Sequence, residues 1–86
     1  MASELAVKIV TPDEIFYEGT AEMIILRTTQ GDRGILKNHR PMVAGLSEGT
    51  LRLKKDGKFK EAQISGGFIQ VDKEQAVIIT ESADWK

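Results

Sequence analysis

Imidazole chemistry in this sequence would have to run through His39, the only histidine, and there is no cysteine to supply a thiolate, a disulfide or a soft metal ligand. A Ser, His, Asp triad would need His39 as its base, and His39 sits in a polar turn beside Arg40 with no Ser in a nucleophile-elbow motif. Ser65-Gly66-Gly67 lacks the Gly-x-Ser-x-Gly spacing of a nucleophile elbow and any helical pattern after it, so it reads as a strand break where another backbone approaches. Gly31 to Gly34 is too short for a phosphate-cradling loop and lacks the Gly-Lys-Ser ending. These residues assign no catalytic, cofactor-binding or metal-binding role, and no cofactor is expected.

Two further groups could carry a binding function. Arg52, Lys54, Lys55, Lys58 and Lys60 form a basic stretch, but Phe59 is its only aromatic residue and Asp56 and Glu61 dilute it. Outward lysines on a hairpin also keep sheets from pairing edge to edge. The whole chain balances 12 Lys and Arg against 13 Asp and Glu, so no global field draws it to nucleic acid, and none is expected as a partner. Val71-Asp72-Lys73-Glu74 places Lys73 at a hairpin tip, as lipoyl or biotinyl carrier domains do, which leaves Lys73 as the attachment site of an alternative, carrier reading. Against it, carriers have mirrored halves around the lysine, and only a short segment follows Lys73 here.

These residues must be positioned by short strands. Eighty-six residues make one domain, and Leu, Ile, Val and Phe supply 23 of them, above the roughly 20% below which chains stay disordered. A core this thin leaves no room for a deep pocket, so function is expected on the surface. The longest apolar runs, Met23 to Leu26 and Ala76 to Ile79, have four residues where a membrane span needs about 20, and Met1 to Val10 has no signal or transit pattern. The chain is expected to be soluble, or peripheral at a membrane.

Leu5, Val7 and Ile9 alternate with Ala6 and Lys8, and Thr11-Pro12-Asp13-Glu14 turns the chain. Ile15-Phe16-Tyr17 restarts an extended run, Gly19 allows a bend or bulge, and Ala21 to Thr29 is apolar enough to predict a central strand buried on both faces. Gln30 to Gly34 and Lys37 to Pro41 read as two polar loops around the short Ile35-Leu36. Asp56-Gly57 makes Thr50 to Lys60 a hairpin whose return strand runs on to Ser65. Phe68 to Val71 and Ala76 to Thr80 follow as strands around a turn at Asp72 to Gln75, and Ser82 is expected to cap the start of a helix. Eight or more short strands with turns this frequent predict an all-β fold, an antiparallel sandwich or flattened barrel.

Several segments, in order, resemble the N-terminal β-sandwich domain of the epsilon subunit of F-type rotary ATP synthases, called delta in mitochondria. They are Val7-Lys8-Ile9-Val10-Thr11-Pro12, Phe16-Tyr17-Glu18-Gly19, Gly31-Asp32-Arg33-Gly34-Ile35-Leu36, His39-Arg40-Pro41-Met42 and Ser65-Gly66-Gly67-Phe68-Ile69-Gln70-Val71. No single piece is specific, whereas their order and spacing are. The resemblance covers nearly the whole chain and implies a flattened sandwich of about ten strands, a single domain over residues 1–86.

It further implies a non-catalytic subunit of the central stalk that packs against the gamma subunit and stands on the ring of c subunits, coupling ring rotation, driven by protons or sodium ions, to ATP synthesis. The complex sits peripherally on the cytoplasmic face of a bacterial plasma membrane or the equivalent organellar face. Gly31, Asp32, Arg33 and Gly34 correspond to the acidic loop that meets the c ring, where a carboxylate suits basic ring loops. By residue type alone, Asp32 is as well read as a turn residue bonding its own backbone. Thr11, His39, Pro41, Met42, Val43, Ser65, Gly66, Gly67 and Phe68 correspond to the gamma-facing surface. Met42 and Phe68 are also residue types usually found in a core.

Departures from the family pattern are local. Lys37-Asn38-His39-Arg40-Pro41 replaces a loop that often reads Pro-Gly-His-Ala-Pro, and Arg33 and Arg40 stand where small or apolar residues are usual. Asn38 can take the left-handed turn that glycine would provide. Members of the family continue into a two-helix C-terminal domain that restrains ATP hydrolysis, and this chain ends at Lys86, so the helical hairpin is expected to be absent from it.

Overall fold

The alternating stretches become ten strands in the computed structural model, which describes residues 4–86. They are β1 (Leu5–Val10), β2 (Ile15–Ala21), β3 (Met23–Thr28), β4 (Gly31–Ile35), β5 (Met42–Leu46), β6 (Gly49–Lys55), β7 (Lys58–Ile64), β8 (Gly67–Val71), β9 (Gln75–Ile79) and β10 (Ala83–Trp85). One hydrogen-bonded path runs β10-β7-β6-β3-β5-β8-β9-β1-β2, with β4 paired to β3 beside it. The path folds over where β3 and β5 meet through the single pair Thr28 and Leu46. Two leaves result: β4, β3, β6, β7 and β10 face β5, β8, β9, β1 and β2. At the far side β2 returns to β6, where the Glu22 amide donates to the Lys54 carbonyl at 2.8 Å. Nearby, Lys55 Nζ donates to Thr20 Oγ1, which donates to Glu4 Oε1 at 2.8 Å. The all-β flattened sandwich of about ten strands is therefore the architecture, with β1 and β9 running parallel and the other pairs antiparallel.

Period-two alternation fills the space between the leaves. Leu5 and Ile9 of β1, Ile24 of β3, Leu51 and Leu53 of β6, Ile69 of β8 and Ile78 of β9 are all 0% exposed. Each contributes about 1.5–3 kcal/mol by leaving water. Among the described residues no buried side-chain polar atom lacks a partner, so the interior is fully satisfied and carries no group aimed at a ligand.

Turn chemistry follows the sequence at most corners. Asp56 and Gly57 both take positive φ, 55° and 78°, the mirror-image turn that suits a two-residue hairpin between β6 and β7. Asp72 Oδ1 accepts from the Glu74 and Gln75 amides at 2.9 and 3.0 Å, closing the turn between β8 and β9. Asn38 takes the left-handed conformation, with φ of 71°. Gly67 is required where it stands: φ is 118°, and a Cβ there would lie 1.9 Å from the Ile79 carbonyl oxygen. The strand break at Ser65-Gly66-Gly67 is thus the close backbone approach that its glycines imply.

Four local expectations need correction. Gln30 to Gly34 is not a loop, because Thr28 Oγ1 accepts from the Gln30 amide at 3.1 Å and donates to the Gly31 carbonyl at 2.6 Å. That closes the turn two residues early and lets Gly31–Ile35 pair with β3. The central strand is buried on one face only: Ile24, Leu26 and Thr28 are inside, while Ile25 is half-buried and Arg27 exposed. Gly19 does not interrupt β2; its missing side chain makes room for the Tyr17 ring, whose hydroxyl lies 3.1 Å from where a Cβ would be. Finally, Ser82 caps no helix. Its amide donates to Ser65 Oγ at 3.0 Å, and the chain continues as β10 along β7, where Trp85 stacks on Phe16 with ring centroids 4.6 Å apart.

Candidate functional site

The outer side of β5, β8, β9 and β1 is unusually apolar. Strand register lines up Gly45, Phe68, Ile79, Val10 and Ile15 in one row across five strands. The adjacent row holds Val43, Gln70, Val77 and Lys8. Val43 is 72% exposed, Ile15 52%, Phe68 49% and Ile79 44%, and these side chains are contiguous, unlike the scattered apolar residues of an ordinary surface. A face like this gains free energy when a partner covers it.

The outer side of the other leaf is charged and self-satisfied. Arg27 Nε donates to Asp32 Oδ1 at 3.2 Å across β3 and β4, and Arg52 Nε lies 3.3 Å from Glu61 Oε2 across β6 and β7. Phe59, the aromatic of the basic stretch, is roofed by Arg52 and Lys54 at 4.5 and 5.8 Å from its ring centroid. Phe59 stays 41% exposed beside these cations, and Arg52 is paired with Glu61.

The residues expected to contact the c ring sit on the β3–β4 hairpin. Gly31, Asp32, Arg33 and Gly34 are all exposed, and Asp32 bonds the Arg27 side chain rather than its own backbone. Both partners are more than 60% exposed, which makes this a weak pair that an incoming cation can compete for.

The residues expected to face gamma frame the apolar surface. Val43 and Phe68 lie on it and Gly67 begins the strand that carries Phe68. Thr11 and Ser65-Gly66 stand at the end where β1 and β7 finish, and His39 and Pro41 stand at the opposite end before β5. Ser65 already has a structural task, with its amide bonded to the Ser82 carbonyl and its hydroxyl to the Ser82 amide. His39 is half-buried and its Nδ1 donates to the Arg40 carbonyl at 2.7 Å, which stiffens the loop. Met42 has the parity of buried Val71 and packs against the core, so Val43 next to it presents its side chain outward instead. Ile15, Val10, Val77 and Ile79 extend this face and were not singled out from the sequence; Val10, Val77 and Ile79 each stand next to a buried residue of opposite parity, and Ile15 reaches the face through its pairing with Val10 after a register shift.

Two features complete the surface. Lys73 has its carbonyl bonded to the Asn38 amide at 2.7 Å, which ties this turn to the 37–41 loop. Where the leaves part, between the β3–β4 hairpin and β5, lies a groove of about 410 Å³ walled by Thr29, Gln30, Arg33, His39, Arg40 and Met42. Among the described residues no three His, Cys, Asp or Glu side chains come together in a metal-binding cluster, and no helix is long and apolar enough to cross a membrane.

The family described as ATP synthase, Delta/Epsilon chain, beta-sandwich domain matches residues 4–86. The chain belongs to this ATP synthase delta/epsilon family. It is 53% identical over 85 residues to the ATP synthase epsilon chain of Alkaliphilus oremlandii and 46% identical over 85 residues to that of Alkaliphilus metalliredigens. In each case 99% of this chain and 63% of the relative are covered, so the chain spans a little under two thirds of the length of these relatives. A subunit in the mitochondrial ATP synthase of Euglena gracilis, solved as an OSCP/F1/c-ring assembly, superposes with a TM-score of 0.91 at 28% identity over 96% of this chain and 54% of that one. A chain in the central stalk and c ring of the Tetrahymena thermophila enzyme shares the fold, with a TM-score of 0.78 at 15% identity over 93% of this chain and 65% of that one. Nothing in these delta/epsilon relatives favours a carrier function for Lys73.

Proposed function

We propose that this delta/epsilon β-sandwich is a non-catalytic rotor element of an ATP synthase central stalk. In this reading it couples the c ring to the gamma subunit while ions, protons or sodium, drive ATP synthesis. The single domain acts as one rigid unit and carries no catalytic group of its own. It works at the cytoplasmic face of a bacterial plasma membrane, or the equivalent organellar face, and meets the membrane only through the ring.

The observation that carries this reading is the contiguous exposed apolar row on one leaf of a family β-sandwich, beside a polar hairpin. Torque transfer needs a stiff body with two dissimilar docking surfaces, and the buried apolar cluster inside one hydrogen-bonded ten-stranded sheet supplies the stiffness. The gamma-facing set is Thr11, His39, Pro41, Met42, Val43, Ser65, Gly66, Gly67 and Phe68, extended by Ile15, Val10, Val77 and Ile79. Burial of the apolar row supplies affinity there. The ring-facing set is Gly31, Asp32, Arg33 and Gly34. At this contact a ring cation would displace Arg27 from Asp32, fixing orientation more than affinity.

The test is size-exclusion chromatography of the chain with the gamma subunit of the same organism. Wild type is expected to co-elute with gamma. Val43→Asp is expected to elute alone while keeping the wild-type circular dichroism spectrum, because Val43 is exposed and its removal leaves the core intact. Co-elution of Val43→Asp at wild-type yield would contradict the assignment of this face.

A further inference from the structure

The groove between the β3–β4 hairpin and β5 lies between the two surfaces just assigned. It draws Arg33 from the ring-facing set and His39, Pro41, Met42 and Val43 from the gamma-facing set. Its charge is one-sided. From Arg33 to Ser47 the sequence has Arg33, Lys37 and Arg40 and no carboxylate. Arg33 pairs across the hairpin with buried Leu26, so it leaves β4 on the inner side and reaches the groove; Asp32, on the outer side, is held by Arg27.

Elsewhere on the surface Lys8 pairs with Glu18, Arg27 with Asp32, Arg52 with Glu61 and Lys55 with Glu4, whereas no carboxylate lines the groove. Among the described residues neither Arg33 nor Arg40 has a carboxylate within 4.0 Å. Guanidinium groups present a planar fork that fits a carboxylate bidentately and keep their charge at any working pH. Two of them in one groove, beside the Gln30 side chain, make a cleft complementary to negative charge.

We propose that this groove receives an acidic segment of the gamma subunit, a carboxylate lying between Arg33 and Arg40. The inference rests on the gamma-docking reading and adds the chemistry of the contact. Gamma is the occupant, rather than the ring, because the groove is continuous with the apolar face through Val43, which lines the one and stands on the other. The apolar row would supply affinity, and the arginine pair would set the register of gamma along it.

Titration of gamma from the same organism into four forms of the chain tests this: wild type, Arg33→Glu/Arg40→Glu, Arg33→Gln/Arg40→Gln and Phe68→Asp, each first shown folded by circular dichroism. Binding is measured at about 50 mM and about 300 mM salt, a range over which exposed charge interactions become screened. Wild-type affinity is expected to fall several-fold with salt. The Glu pair is expected to bind at least about thirtyfold more weakly than wild type, and the Gln pair about tenfold more weakly with a shallower salt dependence. If the Glu pair binds within twofold of wild type while Phe68→Asp does not bind, the groove contact is wrong and gamma docking stands. Equal losses for the Gln and Glu pairs with unchanged salt dependence would make the arginines packing residues and overturn the carboxylate. If the Glu pair instead loses binding only to detergent-solubilised c ring, the occupant is the ring and the proposal fails. A wild-type chain that does not bind gamma overturns both readings.

Discussion

Outward positions on β5, β8, β9 and β1 hold Val43, Phe68, Ile79 and Val10, whereas those on β3, β6 and β7 hold Arg27, Arg52 and Glu61. Beneath both, the inward positions are the same kind of residue, Leu and Ile at 0% exposure. The fold therefore requires only the inner half of each strand. What differs between the leaves is left to function: one outer face is satisfied in water by its own ion pairs, and the other is not. The lesson is that in a two-layer sandwich a surface intended for a partner shows as the failure of polar alternation on one leaf, read against its success on the other.

The largest loss is expected at Gly67, which lets β8 run against β9 under the apolar face. Gly67→Ala is expected to lower stability to urea by about 3 kcal/mol or more, because both the positive φ and the Ile79 carbonyl oppose a side chain. Gly34→Ala, on the charged leaf with nothing within 4 Å, is expected to stay within about 0.5 kcal/mol of wild type.

On the apolar face, Ile79→Asp is expected to weaken gamma binding by about thirtyfold in titration calorimetry, the scale of an interface hot spot. Arg52→Ala on the opposite face should leave that affinity unchanged. A smaller loss than either Gly67→Ala or Ile79→Asp belongs to Phe59→Ala, which removes a ring beside Arg52 and Lys54. It should cost about 1 kcal/mol of stability in urea and nothing in binding.

Much of this was legible in the chain. The Asp56-Gly57 hairpin, the Asp72 turn and the Gly67 break follow from residues whose backbone preferences act locally. β4 was not legible because Gly31-Asp32-Arg33-Gly34 has no apolar alternation; its pairing comes from backbone bonds to β3 and a turn closed by Thr28. β10 was not legible because what holds Trp85 is Phe16 and Tyr17, far away in sequence. For the proposed docking surface, motif resemblance points to Val43 and Phe68, which the structure leaves exposed, and also to Met42, which packs against the core. Ile79 and Ile15 were missed because alternation tells which residues share a face and not which faces the packing leaves uncovered.

The central claim is that the apolar outer face is covered in the assembled stalk and the charged outer face is not. Because the chain has no cysteine, single reporters can be placed without background from it. Val43→Cys and Phe59→Cys would be labelled with a maleimide, each in the free chain and in complex with cysteine-free gamma. The account predicts that gamma strongly slows labelling at position 43 and leaves the rate at position 59 unchanged. Protection at 59 with free labelling at 43 would contradict it.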